Sequence, residues 1–384
     1  MNTVAALKSS IPAPRSVIDI AHELGPMFAQ RTNAASNEDT YVAENFALLK
    51  SSGLMEAGVP HEFGGGGADI DELATMLRTL AHNCGSTALA FSMHTHQVAI
   101  PAWRWKHQKL TAMEPLLKRI AGERIQLLSS GGSDWIGGSG KAEKVEGGYR
   151  ITARKIFTSG APTGDLLMTS AVLETAEGPK VLHFGIPTNS PHVKVLDTWR
   201  TLGMRSTGSH DVQIDGHVVP DAAVALQRTA GEWHPLFQII ATIAFPLIYS
   251  VYLGVAEGAR DLAIELAKRK TPSRHAIELA GRMDTELAGA RMAVESMLAA
   301  VRLNAPSAKS VNQVMMGRQL AERHAIASVE FAMELAGGIG FYRSAGLERK
   351  FRDIQAARYH PLQSGPQAEY AGSMALGLPV ERVF

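Results

Sequence analysis

The chain has 384 residues, 45% hydrophobic and 20% charged, as in an ordinary globular protein of two or three structural units. Lys+Arg 38 against Asp+Glu 37 leave a net charge of +1, and no basic run carries interleaved aromatics, which argues against nucleic acid or an anionic membrane surface as partner. Cys84 is the single cysteine, so an intrachain disulfide is excluded; with no basic stretch leading an apolar core at the N-terminus, the expected location is the cytoplasm.

Residues 1–122 read as helical. Val17, Ile20, Ala21 and Leu24 recur at helical spacing, and Leu73, Met76, Leu77 and Leu80 repeat the pattern. Gly64-Gly-Gly-Gly67 breaks the helices and lacks the Lys-Ser/Thr of a phosphate-binding loop. Cys84, in Ala81-His-Asn-Cys-Gly-Ser86, is expected as a small buried or helix-end residue. His94 and His96 follow; rings two residues apart on a helix diverge by about 200°, so no metal site is expected from them.

Residues 123–228 change to a period of two. Tyr149–Ala153, Leu167–Leu173, Val181–Ile186 and Asp211–Asp215 read as strands between Gly, Pro and Asp turns. Residues 229–384 are helical again, with 261–268 and 280–301 the clearest stretches. Residues 236–256 carry no formal charge. Gln238, Thr242, Pro246 and Ser250 interrupt that run, which reads as a helix buried in a bundle or oligomer rather than a membrane span. Helices, then strands, then helices make an α+β protein: an N-terminal helical domain, a central β-domain and a C-terminal four-helix bundle. No G-x-G-x-x-G lies between a strand and a helix, so no Rossmann-type dinucleotide site is expected.

Motifs recur through this order: Leu128-Ser-Ser130 before Gly131-Gly-Ser-Asp-Trp135; Lys155-Ile-Phe-Thr-Ser-Gly160; Gly203-Met-Arg-Ser-Thr207 before Asp211-Val-Gln-Ile; Pro246 opening a long helix; and Glu334-Leu-Ala-Gly-Gly-Ile-Gly-Phe341 with Arg352-Asp353. Together they resemble the acyl-CoA dehydrogenase superfamily over roughly residues 15 to 375. The resemblance implies a flavoenzyme and a homotetramer. It assigns the flavin to Ser129, Ser130, Ser133, Phe157, Thr158, Ser159, Arg205, Arg269, Gly337, Gly338 and Gln363. The cofactor implied is FAD, with FMN as the alternative, because the Arg269-Lys-Thr-Pro272 segment is shortened where the adenine end would be clamped. The shorter Phe157-Thr-Ser-Gly160 looks more like the flavin monooxygenases built on this scaffold.

The catalytic segment departs from the family. Where common members read Tyr-Glu-Gly-Thr, with Glu as base, this chain reads His360-Pro-Leu-Gln363, and the other family site for the base holds apolar Ile243-Ala-Phe245. His360 is therefore the expected catalytic residue, helped by Asp134 or Glu369, with His94, His96 and Phe245 lining the substrate pocket. An imidazole can give or take a proton near neutrality. The leading expectation is dehydrogenation of an acyl-CoA-like substrate with electron-transfer flavoprotein as acceptor. The alternatives are oxygenation by reduced flavin from a reductase, and a catalytically silent flavin-binding paralogue.

Overall fold

The computed structural model describes residues 15–34, 39–130 and 136–380. Five helices come first: α1 (Val17–Ala34), α2 (Ala43–Ser52), α3 (Ile70–Asn83), α4 (Gly85–Gln108) and α5 (Glu114–Glu123). Asp69 opens α3 by accepting the N–H groups of Asp71 and Glu72 while Glu72 bonds back to the Asp69 N–H, a capping box. Leu73, Met76, Leu77 and Leu80 face inward, as their spacing predicts. Cys84 is buried in the extended link between α3 and α4, its Sγ against the Thr87 hydroxyl at 3.2 Å.

An eight-stranded sheet follows: β1 (Leu127–Ser129), β2 (Lys141–Val145), β3 (Gly148–Lys155), β4 (Leu166–Leu173), β5 (Lys180–Pro187), β6 (Val193–Val195), β7 (Val212–Pro220) and β8 (Leu226–Thr229). Its order is β6-β7-β3-β2-β4-β5-β8, with β1 parallel to β4 at the side. The four strands legible in the sequence are β3, β4, β5 and β7. The other four are short; β2 buries only Ala142, too few residues to register a period of two.

The C-terminal part is built on three long helices, α6 (Pro235–Ala267), α7 (Arg274–Arg302) and α8 (Ala308–Ala336), with α9 (Leu347–Ile354) and α10 (Ser364–Leu376) against them. The two stretches read separately as 236–256 and 261–268 are one helix of 33 residues. Glycines 254 and 258 do not break it; they let α3 approach. A Cβ at Gly254 would lie 2.2 Å from the Arg78 carbonyl oxygen, and one at Gly258 2.2 Å from that of His82. The most apolar window of α6 is 94% buried by the rest of the chain, so its hydrophobicity is that of a core helix. One apolar core runs through α3, α4, α6, α7 and α8, and a second lies within the sheet.

Candidate active site

Two walls meet where the sequence motifs converge. The first belongs to the sheet. After β3 the chain turns sharply: Phe157 sits in the left-handed region at φ +54° and leaves its ring 51% exposed, edge-on to Trp199 at 5.9 Å. A non-glycine residue held there costs on the order of 1 kcal/mol, strain of the kind that gathers at functional sites. The backbone of 158–160 is then zipped to the loop before β7, Thr158 N–H to His210 O at 3.2 Å and Gly160 N–H to Thr207 O at 2.9 Å. Two motifs distant in sequence thereby form one surface of hydroxyls. Ser159 and Ser209 share a hydrogen bond of 2.8 Å, and Ser209 and Thr207 one of 2.7 Å. Thr158 is the exception. Its hydroxyl is fully buried and, among the described residues, has no hydrogen-bond partner, an omission costing about 1–3 kcal/mol.

The second wall is helical. Arg318, on α8, is fully buried; its guanidinium pairs with Glu322 at 2.8 Å. The same group donates to the carbonyls of Ala357 (3.1 Å), Arg358 (3.3 Å) and His360 (2.9 Å). Tyr249, on α6, also donates to Ala357 O at 2.8 Å. One buried cation therefore shapes the segment that carries His360. The His360 Nε2 lies 2.6 Å from the Tyr252 hydroxyl. Burial raises the Tyr252 pKa well above its ordinary range, so the phenol keeps its proton. The phenol donates to Nε2, because the opposite direction would leave the O–H without an acceptor. The ring proton of His360 is thus on Nδ1.

His96, on α4, has the complementary tautomer. Its Nδ1–H donates to the Ser92 carbonyl at 3.0 Å, which leaves Nε2 as a bare acceptor. Burial holds the His96 pKa at about 4 and that of His360 at about 3; Arg318 and then His96 add to the depression at His360. Both rings are neutral at physiological pH. One presents a lone pair and the other an N–H, and they are close enough to influence each other's charge.

A joint ties the walls together. The buried Asp353 carboxylate accepts the Met204 N–H, and a Cβ on Gly203 would lie 2.0 Å from the Arg352 carbonyl oxygen. This gives the Arg-Asp pair and the Gly-Met-Arg motif a shared purpose. His94 forms a second joint instead of lining a pocket. Its Nδ1 accepts the Leu127 N–H at 3.0 Å and its Nε2–H donates to Met55 O at 2.8 Å, so both nitrogens are spent on backbone.

The remaining expected residues divide. Ser129 ends β1 and Ser130 follows it, with the Ser130 hydroxyl accepting from Thr169 at 3.1 Å. Ser133 and Asp134 lie outside the described residues. Phe245 is buried on α6, two turns before Tyr252. Arg205 is held by Asp39 at 2.7 Å, so its charge already has a carboxylate partner instead of awaiting a phosphate. Arg269 lies just past the end of α6, exposed and paired with Glu265 at 3.1 Å. Gly337 and Gly338 end α8 at the surface, and the Gln363 side chain is exposed before α10. Glu369 is exposed on α10 and does not join His360 through any hydrogen bond. Tyr252 and Arg318 were not anticipated. The available signal was Arg318 itself, an arginine in the buried register of Val311, Val314, Met315, Ala321 and Ala325.

Comparison with known proteins gives the same order of parts. Residues 19–118 match the N-terminal domain of acyl-CoA dehydrogenase, residues 129–217 its middle domain and residues 247–364 its C-terminal domain. The amino sugar nitrososynthase DnmZ of Streptomyces peucetius is 26% identical, over 95% of this chain and 94% of its own. A pigment production hydroxylase of Rhodococcus sp. (strain ATCC 21145) is 26% identical over 95% of this chain and 97% of its own. The structure of KijD3 in complex with FMN and dTDP-3-amino-2,3,6-trideoxy-4-keto-3-methyl-D-glucose superposes with a TM-score of 0.88 at 26% identity, covering 96% of this chain and 95% of that one.

Proposed function

This chain belongs to the acyl-CoA dehydrogenase superfamily, and we propose that within it the protein is a flavin-dependent monooxygenase, supplied with reduced flavin by a separate reductase. The observation that carries this reading is the pair of locked imidazoles. A dehydrogenase on this scaffold needs a base to remove a carbon-bound proton. Here the Nε2 lone pair of His360 is capped by the Tyr252 hydroxyl at 2.6 Å, and its pKa of about 3 makes it a poor base. The acyl-CoA dehydrogenation expected from family frequency therefore gives way to its alternative. Relatives named for nitrososynthase and hydroxylase activity support the same direction.

The described residues fit a flavin. The orphaned Thr158 hydroxyl, the Ser159 hydroxyl and the exposed Phe157 ring form a wall that offers hydrogen bonds and an aromatic face to a planar heterocycle. When bound in reduced form, that cofactor supplies the two electrons that split dioxygen, one oxygen going to substrate and the other to water. The chain's own residues do the rest. His96 Nε2 accepts a hydrogen bond from the substrate's nucleophilic group, an amine N–H or a hydroxyl, and orients its lone pair. His360 Nδ1–H donates to the departing oxygen. Tyr252 and Arg318 hold that donor in place. Buried Phe245 on the adjoining α6 helps exclude water. FMN is favoured over FAD by the shortened segment after Arg269. The exposed Gly337, Gly338, Phe341 and Tyr342 support a homotetramer that covers this surface.

The test begins with anaerobic mixing of the flavin-loaded protein with a panel of acyl-CoAs. No bleaching is expected. Protein given reduced FMN, 18O-labelled dioxygen and an amino sugar is expected to place label in the product, and His360→Ala to lower that turnover by about 10²–10⁴-fold. Bleaching by any acyl-CoA, or full turnover by the variant, overturns the proposal.

A further inference from the structure

A cavity of about 180 Å³ opens where the N-terminal end of α4 meets α1, α6 and α9. Its polar floor is the uncapped start of α4. Cys84 holds the N-cap position, but its thiol contacts the hydroxyls of Thr87 at 3.2 Å and Thr32 at 3.4 Å instead of a backbone N–H. Among the described residues, the N–H groups of Gly85, Ser86 and Thr87 therefore have no hydrogen-bond partner. They form the positive end of a helix of 24 residues. The Ser86 side chain lines the same cavity. The residue is only 5% exposed, and its hydroxyl also has no hydrogen-bond partner among the described residues.

Two cations of α9 border these donors. Lys350 packs on Gly258 and donates to the His82 carbonyl at 2.7 Å, and no carboxylate among the described residues lies within ion-pair distance of it. Burial draws its pKa down to about 8, the behaviour of an ammonium with little counter-charge. Arg349 donates to the neutral Asn33 amide oxygen. Asp353 is the one carboxylate lining the cavity. One of its oxygens accepts the Met204 N–H, and the other has no hydrogen-bond partner among the described residues. The cavity thus backs onto the joint between the two walls. It is separate from the reacting groups: His96 lies ten residues along α4 from Ser86, about 15 Å away.

We infer that this cavity is a binding site for inorganic phosphate, distinct from the places of flavin and substrate. The α4 N–H groups, the Ser86 hydroxyl and the Lys350 ammonium receive the charged oxygens. The protonated oxygen of hydrogen phosphate donates to the unspent oxygen of Asp353. That last contact selects the ligand. Sulfate carries no proton near neutrality and would set a bare oxygen against the carboxylate. Bound phosphate links α4 and α9 beside the Gly203-Met204 turn, so it braces the joint that Asp353 already makes. The inference does not depend on the monooxygenase reading.

The test is calorimetric titration of the full-length protein with inorganic phosphate and with sulfate at fixed ionic strength, each with and without FMN. Phosphate is expected to bind at one site per chain, sulfate about tenfold or more weakly, and FMN to leave the phosphate affinity unchanged. Lys350→Met is expected to weaken phosphate by about tenfold or more, and Ser86→Ala by about fivefold. Alanine is a good helix former, so the second variant reports on folded protein. Asp353→Asn can still accept from Met204 and can donate to either anion; it is expected to abolish the preference for phosphate over sulfate. Absence of phosphate binding, sulfate bound as tightly, or affinity indifferent to both Lys350→Met and Ser86→Ala overturns the inference. Phosphate displaced by FMN also overturns it, and would assign the cavity to the flavin phosphate.

Discussion

The two walls of the candidate active site are stabilised in opposite ways. The helical wall is held by its own side chains: Arg318 and Tyr249 satisfy the carbonyls around His360, and Tyr252 fixes its ring. The sheet wall is left open, with Phe157 strained and exposed and Thr158 buried without a partner among the described residues. A wall that must hold one proton in one place is rigid before anything binds. A wall that must receive a cofactor keeps its hydrogen-bonding capacity unspent.

The largest effect is expected from removing the cation behind the helical wall. Arg318→Met leaves Glu322 buried without its partner and three carbonyls unsupported, a loss of about 3–5 kcal/mol. In a chain of this size that lowers the melting temperature by roughly 5 °C, measurable by circular dichroism. A variant melting with the wild type would show that the wall does not depend on Arg318, and the contrast between the walls would fail.

The joint at His94 gives the next effect, through pH. Burial lowers its pKa to about 4 from the ordinary value near 6.5. As pH falls below 6.5, the unfolded chain takes up the proton and the folded one does not. The stability contributed is therefore whole above pH 6.5 and is lost as pH falls toward 4. Between pH 7.5 and 5 that amounts to about 2 kcal/mol. Urea midpoints at the two pH values are expected to differ less in His94→Gln than in the wild type. Equal differences would mean that His94 is not the joint described here.

Legibility followed the same division. The sheet wall was readable as a place in the chain because its residues lie within short motifs, Lys155 to Gly160 and Gly203 to Thr207, whose local turns bring their hydroxyls together. The order of helices and sheet was readable from period alone. The helical wall was readable only at His360. Tyr252 and Arg318 meet it across more than a hundred and about forty residues of chain respectively, and nothing local marks such a contact. His94 and His96 looked alike in sequence, two histidines on one helix. Their roles separate only because Leu127 and Met55 approach one ring and Ser92 the other.

Tyr252→Phe tests whether the rigid wall acts through a tautomer or only through packing. The substitution keeps the ring and removes the O–H, so the fold is expected to hold. Turnover is expected to fall about tenfold with little change in KM, the size of one lost hydrogen bond in the reacting state. A packing role alone would leave the imidazole unchanged. With the tautomer released, 15N spectra of selectively labelled histidine are expected to lose the Nδ1–H signature of His360, and the acid limb of the pH–rate profile to move upward.

The smallest effect has a distinctive sign. Thr158→Val replaces a buried, partnerless hydroxyl with a methyl of the same shape. In the helical wall, loss of Arg318 destabilises, because its guanidinium holds three carbonyls and Glu322. At Thr158 the flavin-free protein is expected to gain up to about 1 kcal/mol, since an unmet desolvation cost is removed. FMN affinity is expected to fall about fivefold, the worth of one neutral hydrogen bond. Thermal melts without flavin and fluorescence titrations with FMN read the two quantities separately. Stability rising while affinity falls would identify Thr158 as capacity held in reserve for the cofactor. A loss of stability in the flavin-free protein would mean that the hydroxyl already has a partner, and the sheet wall would be as self-contained as the helical one.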